Sequence, residues 1–269
     1  MLKEPFFVLE DSLTARCLWY NNDTLYVGTC ARGDDHRLLL LDSKTGHIQK
    51  EHGTPYLISD VALAVSYNLE KTETKYCYAA LGQGALMCWD NEGFGKELWM
   101  KKLDDAAMIL EVSGQNVYLG SRYGEIFKGD SYDDYRAGVK KDLYSLNVDP
   151  LYIYAGYVDG CCRIFQRSNG KQVKVLHVGK KLVRCATHAN LSEDGSKIIT
   201  NLFAADCRTG KITLWYDDNW NIPQAFYNYS IKESPYGISG FHCFGDYLLI
   251  HTFNNLEVIH IPTSQLEFS

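Results

Sequence analysis

Six times along its 269 residues the chain runs an apolar segment to a small residue, breaks at a tight polar turn, and resumes as a second apolar segment. Leu25-Tyr26-Val27-Gly28 leads to Leu38-Leu39-Leu40-Leu41-Asp42, and Tyr78-Ala79-Ala80-Leu81-Gly82 to Leu86-Met87-Cys88-Trp89-Asp90. Val117-Tyr118-Leu119-Gly120 leads to Glu125-Ile126-Phe127, and Tyr152-Ile153-Tyr154-Ala155-Gly156 to Cys162-Arg163-Ile164-Phe165. The last two units join Lys197-Ile198-Ile199-Thr200 to Ile212-Thr213-Leu214-Trp215-Tyr216-Asp217, and Tyr247-Leu248-Leu249-Ile250 to Leu256-Glu257-Val258-Ile259. Short runs rich in β-branched and aromatic residues, bounded by turn residues, are β-hairpins, and a 3.6-residue apolar period fits few of them.

A further apolar segment precedes several of the hairpins, as in Val61–Val65, Met108–Val112, Leu143–Val148 and Val183–Thr187, and alternating segments such as Lys171–Leu176 follow. Each unit therefore holds four strands. The anchors Gly28, Gly82, Gly120, Gly156, Leu202 and Thr252 are 54, 38, 36, 46 and 50 residues apart, a mean near the period of about 40 to 45 of propeller blades. Only 27 residues precede the first anchor and 17 follow the last, together one more period. The spacing predicts an all-β fold, a single β-propeller domain over 1–269 with six four-stranded blades, seven being the alternative count. A ring leaves two strand edges open unless one chain end completes the blade built by the other. The segment Phe6-Phe7-Val8-Leu9 is suited to pair in the last blade and close it.

Composition narrows the function. A net charge of -6 argues against nucleic acid as partner, because phosphate contacts need a concentrated excess of Lys and Arg. The apolar stretch near the N-terminus is too short for a membrane span or a signal peptide, so no membrane insertion is expected. The nine cysteines sit mostly in apolar runs, where a thiol packs as a small hydrophobe. Reduced cysteines imply an intracellular protein, cytoplasmic or nuclear.

Trp89-Asp90 at the end of a third strand resembles the dipeptide that names the WD-repeat family, and Leu41-Asp42 and Trp215-Tyr216-Asp217 are weaker versions. Leu191-Ser192-Glu193-Asp194-Gly195-Ser196-Lys197-Ile198-Ile199-Thr200 resembles that family's turn between first and second strands, and Tyr152–Gly160 its second strand and following turn. The chain departs from the family in lacking the Gly-His pair that opens a repeat, since Gly46-His47 follows a third strand. The resemblance implies a non-catalytic scaffold or adaptor that binds a protein or peptide within a larger complex. Leu41-Asp42-Ser43-Lys44-Thr45-Gly46 and Lys96-Glu97-Leu98-Trp99 resemble quinoprotein propeller repeats instead, a reading ranked lower for want of an export signal.

Signatures of catalysis are sparse. There is no Gly-x-Ser-x-Gly, no phosphate-cradling glycine loop with Lys, no His-Glu-x-x-His and no Cys-x-x-Cys. The alternative function is a six-bladed hydrolase or lactonase holding a metal with channel carboxylates, but no pattern selects its ligands. No cofactor, metal site or catalytic residue is assigned. Cys161 and Cys162 are adjacent, so strand alternation sends their thiols to opposite faces. Partner-binding residues are expected in turns that emerge on one face of a propeller. Turns between second and third strands hold Arg32, His36, Arg122, Tyr123, Tyr157, Asp159, Arg208 and Phe253, and those entering each first strand hold Tyr56, Asp104, Lys180, Lys181, Arg184 and Tyr236. Tyr and Arg are enriched at binding hot spots.

Overall fold

In a computed structural model of the chain, the residues described are 14–21, 24–30, 36–42, 44–55, 58–68, 71–82, 84–90, 97–102, 106–113, 116–128, 135–191, 198–216, 220–221, 223–228, 237–244, 247–252 and 256–261. Among them there are strands and turns and no helix. The chain divides into two compact units, Met1–Arg122 with Ile126–Tyr132, and Tyr123–Glu125 with Asp133–Ser269.

The first unit contains two four-stranded antiparallel sheets and a third hairpin-built sheet. The strands are β1 (Thr14–Asn21), β2 (Thr24–Cys30), β3 (His36–Asp42) and β4 (Ile48–Thr54), then β5 (Ile58–Asn68), β6 (Lys71–Leu81), β7 (Ala85–Asp90) and β8 (Glu97–Lys102). The third sheet takes β9 (Ala107–Ser113), β10 (Asn116–Ser121) and β11 (Glu125–Lys128). The second unit starts with the short β12 (Arg136–Gly138). It continues with the sheet β13 (Leu143–Val148), β14 (Tyr152–Tyr157), β15 (Cys161–Gln166) and β16 (Gln172–His177). The next sheet is β17 (Val183–Leu191), β18 (Ile198–Asp206), β19 (Lys211–Trp215) and β20 (Gln224–Asn228). The last has β21 (Ile238–Phe244), β22 (Tyr247–Thr252) and β23 (Leu256–His260). The segment expected to close that sheet, Phe6–Leu9, lies outside the described residues.

Burial explains why the middle strands read as unbroken apolar runs. An alternating strand buries one face, whereas Leu38, Leu39, Leu40 and Leu41 are all buried, so β3 is covered on both. Leu38 and Leu40 join Tyr26, Ile58, Met87 and Trp89 in one cluster, and Leu39 and Leu41 join Val27 in another. In the second unit Leu202 and Ala204 of β18 face Tyr154, Ile164 and Trp215, while Phe203 and Ala205 face Leu214, Phe241 and Leu248. Each fully buried Leu or Phe contributes about 1.5 to 3 kcal/mol of transfer free energy. The fourth strands lie outside this packing: β4 is exposed from Ile48 to Glu51, and β16 alternates Lys, Gln and Val with much of its surface open.

All six hairpins read from the sequence are present, but the fifth differs in length. β18 continues past Thr200 to Asp206, which pairs with Val183 as Tyr157 pairs with Leu143. The residue equivalent to Gly156 is therefore Ala205, and Leu202 is a strand-interior residue. A second regularity was not foreseen. The pairing of β13 with β14 slips between Leu143 and Ser145, and that of β21 with β22 between Ile238 and Gly240, leaving Tyr144 and Ser239 as bulged residues. β17 pairs with β18 without a slip from Val183 to Leu191.

Candidate functional site

The candidate site is the end of the second unit where the turns 158–160, 178–182 and 207–210 emerge. Antiparallel order sends the β14–β15 turn, the β16–β17 connection and the entry to β13 to the same end of their sheet. Backbone hydrogen bonds then run from turn to turn. Val158 N donates to Asp142 O at 2.9 Å, Leu182 N to Val158 O at 3.2 Å, Cys207 N to Leu182 O at 3.0 Å, and Ile238 N to Cys207 O at 3.2 Å. Each turn residue is thus bonded to the entry of its own sheet and to the entry of the next. Buried or half-buried peptide groups are satisfied this way without drawing on the charged side chains of the same turns.

Close backbone approach fixes where the seam runs. A Cβ on Gly156 would stand 2.2 Å from Val183 O and 2.4 Å from Ser145 Oγ, so only glycine lets the start of β17 lie on β14. Ser145 reinforces the same contact, accepting from Cys185 N at 3.0 Å and donating to Val183 O at 3.2 Å. The Cys185 thiol donates to Tyr154 O at 3.2 Å. Its neighbour Cys162 is pushed well above the ordinary thiol range, by a hydrogen bond to Cys185 and by burial. At the centre of the seam Leu182 has φ of 52°, a left-handed conformation that costs a non-glycine residue roughly 1 kcal/mol or more.

Charged side chains project from this frame. Arg163 Nη1 and Nη2 reach Asp159 Oδ1 and Oδ2 at 3.0 and 2.7 Å, a two-pronged pair, and the guanidinium carbon stands 4.7 Å over the Tyr157 ring. That pairing, chiefly the hydrogen bond from Arg163, holds the Asp159 carboxyl below its ordinary pKa despite partial desolvation. Arg184 stacks over Tyr144 at 4.6 Å, and its buried Nε has no hydrogen-bond acceptor among the described residues. Asp206 accepts from Arg208 N at 3.0 Å and Thr209 N at 3.4 Å, which shapes the turn that carries Arg208. Lys140, Lys141, Lys180, Lys181 and Arg208 are exposed.

Of the residues expected to bind a partner, the structure brings Asp159, Lys180, Lys181, Arg184 and Arg208 to this end of the second unit. Tyr123, 60 % exposed, belongs to the same unit and precedes Gly124, whose carbonyl accepts from the Tyr157 hydroxyl at 3.2 Å. Tyr157 departs from expectation. It is the last residue of β14 and fully buried, so it presents no ring to a partner and acts by positioning Arg163. Burial also pushes its hydroxyl well above the ordinary tyrosine value. Arg122, in the first unit, is an exposed turn residue whose N donates to Ala106 O at 2.9 Å. His36, also in the first unit, opens β3; its carbonyl accepts from Thr54 Oγ1 at 3.3 Å, and its buried Nδ1 has no partner among the described residues. Arg32, Tyr56, Asp104, Tyr236 and Phe253 lie outside the described residues.

Sequence reasoning passed over Lys140, Lys141, Arg163 and Asp206. The first two lie just ahead of β13 as Lys180 and Lys181 lie just ahead of β17, so the doubled lysine was the available signal. Asp206-Cys207-Arg208-Thr209-Gly210 repeats the pattern of Asp42-Ser43-Lys44-Thr45-Gly46, where Asp42 Oδ1 likewise accepts from Lys44 N and Thr45 N. Cys161 and Cys162 diverge as alternation requires: Cys161 Sγ lies 3.5 Å from His177 Nδ1, and Cys162 packs among Ile164, Leu176 and Cys185. Among the described residues no group of three or more His, Cys, Asp or Glu is placed to hold a metal ion.

No family model matches the chain, and no curated protein matches it in sequence. Solved structures do. The β-propeller domain of Cps50 (Swd1) from Myceliophteria thermophila aligns over 91 % of this chain and 83 % of its own, with a TM-score of 0.64 and 13 % identity. The computationally designed protein Ika8 aligns over 93 % of this chain and 84 % of its own, with a TM-score of 0.57 and 11 % identity. At such identities the likeness concerns the fold: antiparallel sheets arranged in the manner of a β-propeller.

Proposed function

We propose that the chain is a non-catalytic interaction module, a scaffold or adaptor that binds a protein or peptide at the turn-bearing end of its second unit. The observation that carries this reading is the run of backbone hydrogen bonds from Asp142 through Val158, Leu182 and Cys207 to Ile238. It holds charged turn residues in fixed positions on sheets whose interiors are fully packed, which lowers the ordering cost of association. The fold likeness to a β-propeller domain is consistent with such a role. Its place in a larger assembly, in the cytoplasm or nucleus, belongs to the same proposal.

Affinity capture of the full chain from cells that express it naturally, under conditions that preserve complexes, should retain a protein in stoichiometric amount. Retention of none overturns the proposal.

A further inference from the structure

Resting on that interaction reading, we infer that the partner segment bound at this end is rich in carboxylates and seats against Lys140, Lys141, Lys180, Lys181 and Arg208 around Arg184. The chain as a whole carries a net charge of -6, so cations gathered in one place oppose its average. Lys140 and Lys141 precede the entry to β13, Lys180 and Lys181 precede the entry to β17, and Arg208 lies in the β18–β19 turn. The hydrogen bonds through Val158, Leu182 and Cys207 put these three positions at the same end of adjoining sheets.

The local carboxylates do not cancel them. Asp159 is held by Arg163, which leaves Asp142 and Asp206, whose Oδ1 accepts from the turn amides of Arg208 and Thr209, against six cations. Asp142 and Asp159 are both exposed in these turns, Asp159 in its pair with Arg163. None of the four lysines nor Arg208 forms an ion pair among the described residues. Arg184 adds a cation braced on Tyr144, with a buried Nε that lacks an acceptor among the described residues. A field of this kind speeds encounter with an anionic segment and fixes its register.

The anion it fits is a peptide. A duplex presents one phosphate about every 1.7 Å and needs a continuous cationic track. Here Asp142, Asp159 and Asp206 are interleaved among the cations, which suits separated carboxylates that pass between them. Four of the six cations are lysines, point charges without the planar fork that favours phosphate.

The test is fluorescence anisotropy of the full chain with a fluorescein-labelled peptide of three Glu-Ser-Asp-Gly repeats. Saturable binding is expected that weakens at least about tenfold between roughly 50 and 300 mM NaCl. The variant K140S/K141S/K180S/K181S should lose about tenfold or more in affinity. The control K44S/K50S/K171S, which changes lysines elsewhere, should bind as the parent does, and melting curves establish that both variants fold. The inference is overturned if the peptide does not saturate or both variants bind alike. It is equally overturned if an oligothymidylate or phosphatidylserine vesicles bind more tightly than the peptide and lose that binding in the four-lysine variant. Failure of the peptide while a stoichiometric partner is still captured overturns this inference and leaves the interaction reading standing; capture of no partner overturns that reading itself.

Discussion

Arg184 and Tyr144 occupy matching places, each the second residue of the first strand in its sheet, and the guanidinium carbon of one lies 4.6 Å from the ring centroid of the other. They differ in backbone. Tyr144 is bulged out of register, whereas Arg184 pairs in register with Ala205. A bulge re-aims its side chain, and here it accompanies a ring set against the next sheet's arginine. The cation–π contact should appear as a coupling of about 0.5 to 1 kcal/mol in a double-mutant cycle. Urea unfolding of R184Q, Y144L and the double variant measures it; strictly additive effects would remove the contact from the stability of the seam.

Gly156→Ala should be among the most damaging single substitutions in the second unit. The new methyl would meet Val183 O at 2.2 Å and Ser145 Oγ at 2.4 Å, and a backbone carbonyl cannot rotate aside as a side chain can. The expected loss is about 3 kcal/mol, read as a fall in the urea midpoint. Ser145→Ala combined with it should restore little, because the carbonyl contact remains.

Such close approaches separate what the sequence revealed from what it hid. Hairpins were legible because strands covered on both faces keep unbroken apolar runs, as in Leu38–Leu41 and Ile153–Tyr157. Their boundaries were less legible. Asn201 interrupts β18 with a buried polar side chain, so the run seemed to end near Thr200 and the anchor fell on Leu202 in place of Ala205. Local turn chemistry does not distinguish positions: Asp42 and Asp206 close the same type of turn, yet one joins β3 to β4 and the other β18 to β19. The turn motif therefore does not mark a position within the repeat. Among the residues expected to bind, Lys180, Lys181 and Arg208 lie exposed in turns, as short-loop cations read in the sequence. Tyr157 was misplaced because a tyrosine beside a turn reads as exposed, and only the packing of Gly124 and Arg163 on it makes it interior.

The Asp159–Arg163 pair should stabilise the protein only above the acidic range. The folded carboxyl titrates below its ordinary value of about 4. Its contribution is present above the unfolded pKa and disappears as pH falls through the folded one. Asp159→Asn should cost a few tenths to about 1 kcal/mol at neutral pH, the range of partly exposed pairs. Denaturation of parent and variant at pH 7 and near pH 2.5 should show the gap closing in acid; a gap that widens would reverse the assignment of the shift.

Cys207 carries a prediction at the other end of the pH scale. Its thiol is buried beneath the turn whose carbonyl accepts from Ile238, and burial pushes its pKa up to about 12. An unfolded cysteine ionises near pH 8.5. Because the folded pKa is the higher, the contribution of the neutral thiol is complete below that pH and declines as pH rises toward 12. Cys207→Ala should therefore lose less stability than the parent between roughly pH 8 and pH 10, while starting lower because a buried sulfur has been removed. Iodoacetamide at about pH 8 should leave Cys207 unlabelled in the folded chain and label it in urea, since the thiolate is the nucleophile. Rapid labelling without denaturant would show that the turn opens, and with it the run of hydrogen bonds on which the binding surface is built.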